Sequence, residues 1–198
     1  MKQFYESHKI YLTTLLGCIF LLLLSASIHF NRLPGTDPSY HLYIIEQILN
    51  GKRLYTDIIE VNMPPIFFYQ LPAIIIHKIF NVPIISSYLL YCYCLAIVCL
   101  WLSWQVIKQS TIYPDKKTSA SFILIVSFVF FFMFNDFGQK EHFFIMLTMP
   151  YLLKILMDAQ KLPNITLIVI GILAALGFII KPFLNFVSLF IRFCCSML

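Results

Sequence analysis

The chain has 198 residues, 60% of them hydrophobic and only 12% charged, against about 25% charged in a soluble domain. Roughly a third of the unfolded surface stays exposed after a chain of this size folds, so a water-soluble fold is the wrong starting point and lipid has to cover the remainder. The formal charge of +5 comes from basic residues scattered between apolar runs rather than gathered in a stripe with aromatics, which argues against a nucleic-acid partner.

Lys2 and Lys9 precede an apolar run over 10–28. Ser25-Ala26-Ser27 could pass for a peptidase site, but the run meets the about 20 residues needed to span and further apolar runs follow, so we read it as an uncleaved anchor. This first span, 10–30, starts from a cytoplasmic N-terminus. The polar stretch that follows, up to Asn62, is the first aqueous loop. Within it Asp37 as N-cap and Pro38 at the first helical position open a short helix that Asn50-Gly51 closes. Tyr40, Ile44 and Ile48 form its apolar stripe, suited to lying on the membrane surface or against the bundle over 38–50.

Pro64-Pro65 opens a further apolar segment, 65–80, that contains Pro72 and ends at His77-Lys78. It is close to the minimum for a span, so two topologies are open. If it lies along the outer face, the next span, 83–107, delivers Lys108, Lys116 and Lys117 to the cytoplasm, as the bias of Lys and Arg toward that side requires. If it crosses, those lysines fall outside. The first arrangement is the expected one. It continues with spans at 119–134, 143–157 and 165–180, a second outer loop at 135–142, a cytoplasmic turn at Lys161, and a sixth run, 183–198, that looks cut off.

The expected fold class is therefore an all-α polytopic transmembrane helix bundle, with amphipathic surface helices in its first outer loop. It forms a single domain, 1–198. Cys18, Cys92, Cys94, Cys99, Cys194 and Cys195 all sit in apolar runs without metal-ligand spacing and read as small buried hydrophobes. Asn164-Ile165-Thr166 matches a glycosylation acceptor by chance, since it falls on the cytoplasmic side against a span.

Charge is costly near lipid, so the few carboxylates are informative. Asp37, Glu46, Asp57 and Glu60 lie in the first loop; Asp136 and Glu141 lie in the second, beside Lys140 and His142. The expected topology brings both loops to one face of the membrane. There a carboxylate could act as general base on a hydroxyl or amine, with Lys52, Arg53 or Lys140 neutralising a phosphate. Simpler roles stand beside these: Asp37 as a cap, Lys52-Arg53 as interfacial charges, Glu141-His142 as a cap of the next helix. Glu60 has no such local reason.

The order Gly35-Thr36-Asp37-Pro38-Ser39-Tyr40-His41, then Asn50-Gly51-Lys52-Arg53-Leu54-Tyr55-Thr56-Asp57, then Glu60-Val61-Asn62-Met63-Pro64-Pro65-Ile66-Phe67-Phe68-Tyr69, resembles the glycosyltransferase-C superfamily. The nearest branch in appearance is the protein mannosyltransferase and lipid A aminoarabinose transferase group. Asn135-Asp136-Phe137-Gly138-Gln139-Lys140-Glu141-His142, followed by Pro150-Tyr151, resembles that group's second acidic loop.

The resemblance implies transfer of a sugar from a polyprenyl-phosphate-linked donor to an acceptor at the outer face of a bacterial inner membrane. Carried over by position, Asp37 is the principal catalytic carboxylate, Glu60 the second in its loop, and Asp136, with Glu141 as alternate, that of the second loop. Lys52, Arg53, Lys140, His142 and Lys181 would bind substrate or phosphate. No metal site or certain cofactor is assigned, although a divalent cation occurs in some such enzymes. Relatives of this kind run to several hundred residues, so the chain is expected to be the N-terminal part of a longer fold, either truncated and inactive or completed by a companion chain. A non-catalytic membrane remnant or scaffold, and a transporter, are the competing classes; the latter lacks charge beside its Gly- or Pro-broken helices.

Overall fold

A computed structural model describes residues 2–32, 35–60, 62, 64–110, 112, 115–133, 136–157, 159 and 162–180, with side chains from residue 8 onward. Lys181 and the predicted run over 183–198 lie outside them. The described residues form seven helices and no strand: α1 (Lys2–His29), α2 (Thr36–Leu49), α3 (Pro65–Phe80), α4 (Ile84–Lys108), α5 (Lys116–Phe131), α6 (Lys140–Leu156) and α7 (Asn164–Ile180). The all-helical expectation holds. By length and composition, His8–His29 and Ile84–Lys108 are long and apolar enough to cross a membrane, while Pro65–Phe80 and Asn164–Ile180 are shorter apolar helices.

Local chemistry sets the boundaries. α3 starts with Pro at its first position, where a missing N–H costs nothing, and stops at Asn81, whose φ of 53° is the left-handed cap that Asn tolerates. α5 starts at Asp115, whose carboxylate accepts from the Thr118 N–H at 3.0 Å. α2 stops at Asn50, and Gly51 follows with φ 91°. Its start differs from expectation. Gly35 is the N-cap and Asp37 lies inside the first turn without a side-chain capping bond, because the helix begins at Thr36. Its inward face is broader than the expected stripe: Pro38, His41, Leu42, Ile44 and Ile45 are buried and Ile48 packs on the core, while Tyr40 alone of the stripe is exposed.

Side-chain contacts fix the helix directions. Tyr11 meets Trp104 edge to face at 5.6 Å near one end, and Ser25 meets the Tyr93 hydroxyl at 2.8 Å near the other, so α1 and α4 are antiparallel. Cys18 reaches Ser127 at 3.1 Å, and the Ser25 hydroxyl donates to the Phe131 carbonyl, so α5 runs with α1. Tyr91 and Phe143 pair at 6.0 Å near the starts of α4 and α6. Gly177 lets α7 approach α6 closely: a Cβ there would lie 2.7 Å from Thr148 Cγ2 and 3.0 Å from Leu147 Cβ.

α3 does not run the length of this bundle. Its first turns hold Phe67 against His41, the Tyr69 hydroxyl donates to the Leu176 carbonyl in the last turns of α7 at 2.6 Å, and His77 bonds the Val82 carbonyl just before α4. Both its ends stay where α4 begins.

Polarity is distributed inward. Ser25, His29, Ser87, Ser103, Ser127, His142 and Thr148 are buried, whereas Leu12, Leu16, Phe20 and Leu23 of α1, Ile97 and Trp101 of α4, and Ile165, Ile168 and Ile172 of α7 are exposed. Buried hydroxyls find partners within the helices: Ser103 donates to the Cys99 carbonyl, Ser127 to Ile123 and Thr148 to Phe144.

Candidate functional site

The end of α1 meets the second acidic loop. His29, at the end of α1, stacks on Phe137 of the α5–α6 loop with ring centroids 4.1 Å apart and planes 21° from parallel. Phe137 also packs on Tyr93 at 4.8 Å and on His142 at 4.7 Å, and is itself buried. Gly138 (φ 81°) turns the loop back under Tyr88, whose hydroxyl donates to the Gly138 carbonyl. The Gly138 N–H donates to His142 Nδ1 at 2.9 Å, leaving Nε2–H to donate to the Phe130 carbonyl at 2.8 Å.

Both nitrogens of the buried His142 ring are thus engaged by backbone, which makes it a tie between loop and α5 and removes it from the substrate-facing group. Helix α6 starts at Lys140, so Lys140, Glu141 and His142 belong to its first turn rather than to a loop; Gln139 is the N-cap. Asp136 is exposed in the turn just before it.

His41 is the centre of the first-loop cluster. It is 2% exposed, meets Phe67 edge to face at 5.5 Å, and lies with Nδ1 3.3 Å from Gln70 Nε2. Burial pulls its pKa below the ordinary 6.5, the charges of Asp37 and Glu60 push it up, and that of Lys140 pulls it down. Asp37, Glu60 and Lys140 therefore share one electrostatic neighbourhood, two of them from the first loop and one from the start of α6.

Gln70 is fully buried, and its Oε1 has no hydrogen-bond partner. Turning the amide over would give the oxygen His41 Nδ1–H and strand the NH2 group instead. One end of this amide is open either way. Glu60, by contrast, serves its own loop, because its Oε1 accepts from both the N–H and the Nδ2 of Asn62 at 2.8 Å. That bond supplies the reason for a carboxylate here that the sequence alone lacked.

Neither a protein-family model, nor a curated protein, nor a solved structure matches this chain. The functional reading rests on the residues themselves.

Lys52 and Arg53 are exposed in the turn after α2, where Asp57 accepts from the Arg53 N–H at 2.8 Å and Tyr55, at φ 68°, donates to the Asn62 carbonyl. Asp57 thus has a structural role, and the two cations face solvent. Among the described residues no three His, Cys, Asp or Glu side chains gather as a metal-ligand set. Asp37 is exposed in the first turn of α2, a solvent-facing carboxylate near a buried imidazole. His41 and Gln70 went unassigned in the sequence. The signal available was phase: His41 falls three residues after Pro38 on the inward face, and Gln70 is the lone amide of α3, set in its apolar stretch before His77-Lys78.

Proposed function

We propose that this chain is a multi-pass membrane protein carrying a glycosyltransferase-type site, which takes a sugar from a polyprenyl-phosphate donor at the face where the carboxylates lie. The membrane part of the reading is supported by the inversion of polarity, with serines, threonines and histidines inside and a belt of Leu, Ile, Phe and Trp outside. Water offers such a belt nothing, whereas lipid covers it and leaves packing and buried polar contacts to hold the helices together. α3 lies along the outer surface in this topology, α1, α4, α5, α6 and α7 cross, and the N-terminus is cytoplasmic in a bacterial inner membrane.

The single observation that carries the site is the buried His41–Gln70 pair, an imidazole beside an amide with one open end, on a helix whose first turn presents the exposed Asp37. In this reading the Asp37 carboxylate accepts the proton of an acceptor hydroxyl or amine as its oxygen or nitrogen attacks the anomeric carbon. The anomeric C–O bond breaks and its electron pair leaves with the polyprenyl phosphate. The Lys140 ammonium offsets the phosphate charge. Glu60 and the His41–Gln70 pair support the first-loop side of the site, with Asp136 in the second loop and Glu141 in the first turn of α6 as its further carboxylates. Lys52 and Arg53 reach the headgroup from solvent.

A non-catalytic membrane scaffold is the competing reading, and the commitment of Glu60 to Asn62 favours it for that residue. The deciding assay follows release of undecaprenyl phosphate by the full chain from a panel of undecaprenyl-phosphate hexoses and pentoses, with membrane extract as the acceptor source. Asp37→Asn is expected to lower release by about 100-fold or more while leaving the helical circular dichroism signal unchanged. Equal release by Asp37→Asn overturns its catalytic role, and no release by the unsubstituted chain favours the scaffold.

A further inference from the structure

At the other end of the bundle, α1, α4 and α5 leave a cleft of about 450 Å³ between them. Its walls include Thr14, Leu15, Cys18 and Leu100, and its lining is overwhelmingly apolar. Three amphipathic rings also border it: Tyr11, Trp101 and Trp104. Trp101 is 54% exposed, so a large ring faces outward beside the opening. Lys108, in the last turn of α4, lines the same cleft, and the Lys116 ammonium lies over the Tyr11 ring at 5.9 Å. Lys9 and Lys117 are exposed on the adjoining turns. Asp115, also at this end, is held by the Thr118 N–H and hydroxyl at 3.0 and 3.1 Å.

We propose that this cleft is a binding site for an anionic phospholipid, one acyl chain lying between α1, α4 and α5 and the phosphate resting on Lys108 and Lys116. Three features select that occupant. The lining is apolar along its depth and cationic at its rim, the complement of an acyl chain joined to an anionic headgroup. Tyr and Trp favour the headgroup level of a bilayer, which sets the depth at which the cleft opens. The lysines gather at the end that the membrane reading assigns to the cytoplasm, where anionic lipids attract basic side chains by about fivefold in affinity per Lys or Arg. The site needs the bilayer part of the functional proposal and none of its catalysis.

The chain contains two tryptophans, Trp101 and Trp104, and both line the cleft. Intrinsic fluorescence therefore reports this site directly. The full chain is reconstituted into phosphatidylcholine vesicles in which about a tenth of the lipid is dibrominated phosphatidylglycerol, or the same fraction of dibrominated phosphatidylcholine, an annular lipid of no net charge. Two contributing lysines at about fivefold each predict clear excess quenching by the glycerol lipid. Lys108→Gln with Lys116→Gln removes the excess without changing quenching by the choline lipid, and Lys108→Arg keeps it. Equal quenching by the two lipids in the unsubstituted chain overturns the proposal, as does an excess that survives the double substitution. Absence of quenching by either lipid overturns the bilayer reading as well, so the two failures are told apart.

Discussion

The His29 and Phe137 rings lie face to face at 4.1 Å, joining the end of α1 to a loop more than a hundred positions later in the chain. This contact ties the second acidic loop to the end of α1 from which the first loop leaves. Removing the Phe137 ring leaves His29, Tyr93 and His142 facing a cavity, so Phe137→Ala is expected to cost about 3–5 kcal/mol and Phe137→Leu distinctly less. Equilibrium unfolding in mixed micelles measures both. A cost for Phe137→Ala within the about 0.5 kcal/mol typical of surface changes would show that the stack does not hold the loops.

Gly138 is required by backbone and by space together. Its φ of 81° suits glycine, and a Cβ would fall 2.5 Å from the Tyr88 hydroxyl and 2.8 Å from its ring. Gly138→Ala should destabilise by about 1–3 kcal/mol from crowding, with about 1 kcal/mol more from the left-handed conformation. Tyr88→Phe removes the nearest crowding atom, so the double variant is expected to be more stable than the sum of the two single effects. A double-mutant cycle reads that coupling, and strict additivity would place the strain elsewhere.

The electrostatics of His41 predict three signed shifts. Asp37→Asn and Glu60→Gln each lower its pKa further, because each removes a charge that raises it, while Lys140→Met raises it. Imidazole titration by NMR, assigned through the loss of signal in His41→Gln, follows all three. A Lys140→Met chain whose His41 titrates unchanged would separate the start of α6 from this neighbourhood.

The same imidazole links stability to pH. Folded His41 titrates below the ordinary 6.5, so as pH falls through that value the unfolded chain takes up the proton first. Its contribution is nil above that pH. It destabilises the fold progressively as pH falls from 6.5 to the depressed folded value. Denaturation followed from pH 8 to 5 should show this loss shrink in His41→Gln, and a slope unchanged by that substitution would contradict the burial of the ring.

Sidedness is open to direct labelling. In a cysteine-free background, Lys52→Cys and Lys116→Cys both place a thiol at an exposed position, at opposite ends of the bundle. An impermeant maleimide added to sealed vesicles is expected to reach one and to need permeabilisation for the other. Equal labelling of both before permeabilisation would rule out the proposed crossing of α4.

Much of the fold was legible because apolar runs bounded by Pro, Gly, Asn and Lys mark helices whatever surrounds them. The expected segments 83–107 and 165–180 fall within a residue of α4 and α7, and 65–80 coincides with α3. The expected span at 119–134 sits three residues too far toward the C-terminus, since apolar character alone conceals the capping role of Asp115 for Lys116–Phe131. The site was less legible. Asp37, Glu60 and Lys140 stand out in sequence as charges beside apolar runs, but His41 and Gln70 owe their positions to which face of α2 turns inward, and that depends on the partner helix. His142 shows the reverse: its place beside carboxylates suggested ligand contact, whereas the carbonyl it meets belongs to Phe130, on the preceding helix.

The polar cluster inside α1 bears on how the molecule is made. Ser25 and His29 find their partners on Tyr93 and Phe131, in segments that leave the ribosome well after α1. Until those arrive, the Ser25 hydroxyl and His29 imidazole of a nascent α1 have each other and the carbonyls of their own helix, so α1 gains its interhelical polar contacts only once α4 and α5 emerge. In the assembled bundle Ser25 is fully enclosed.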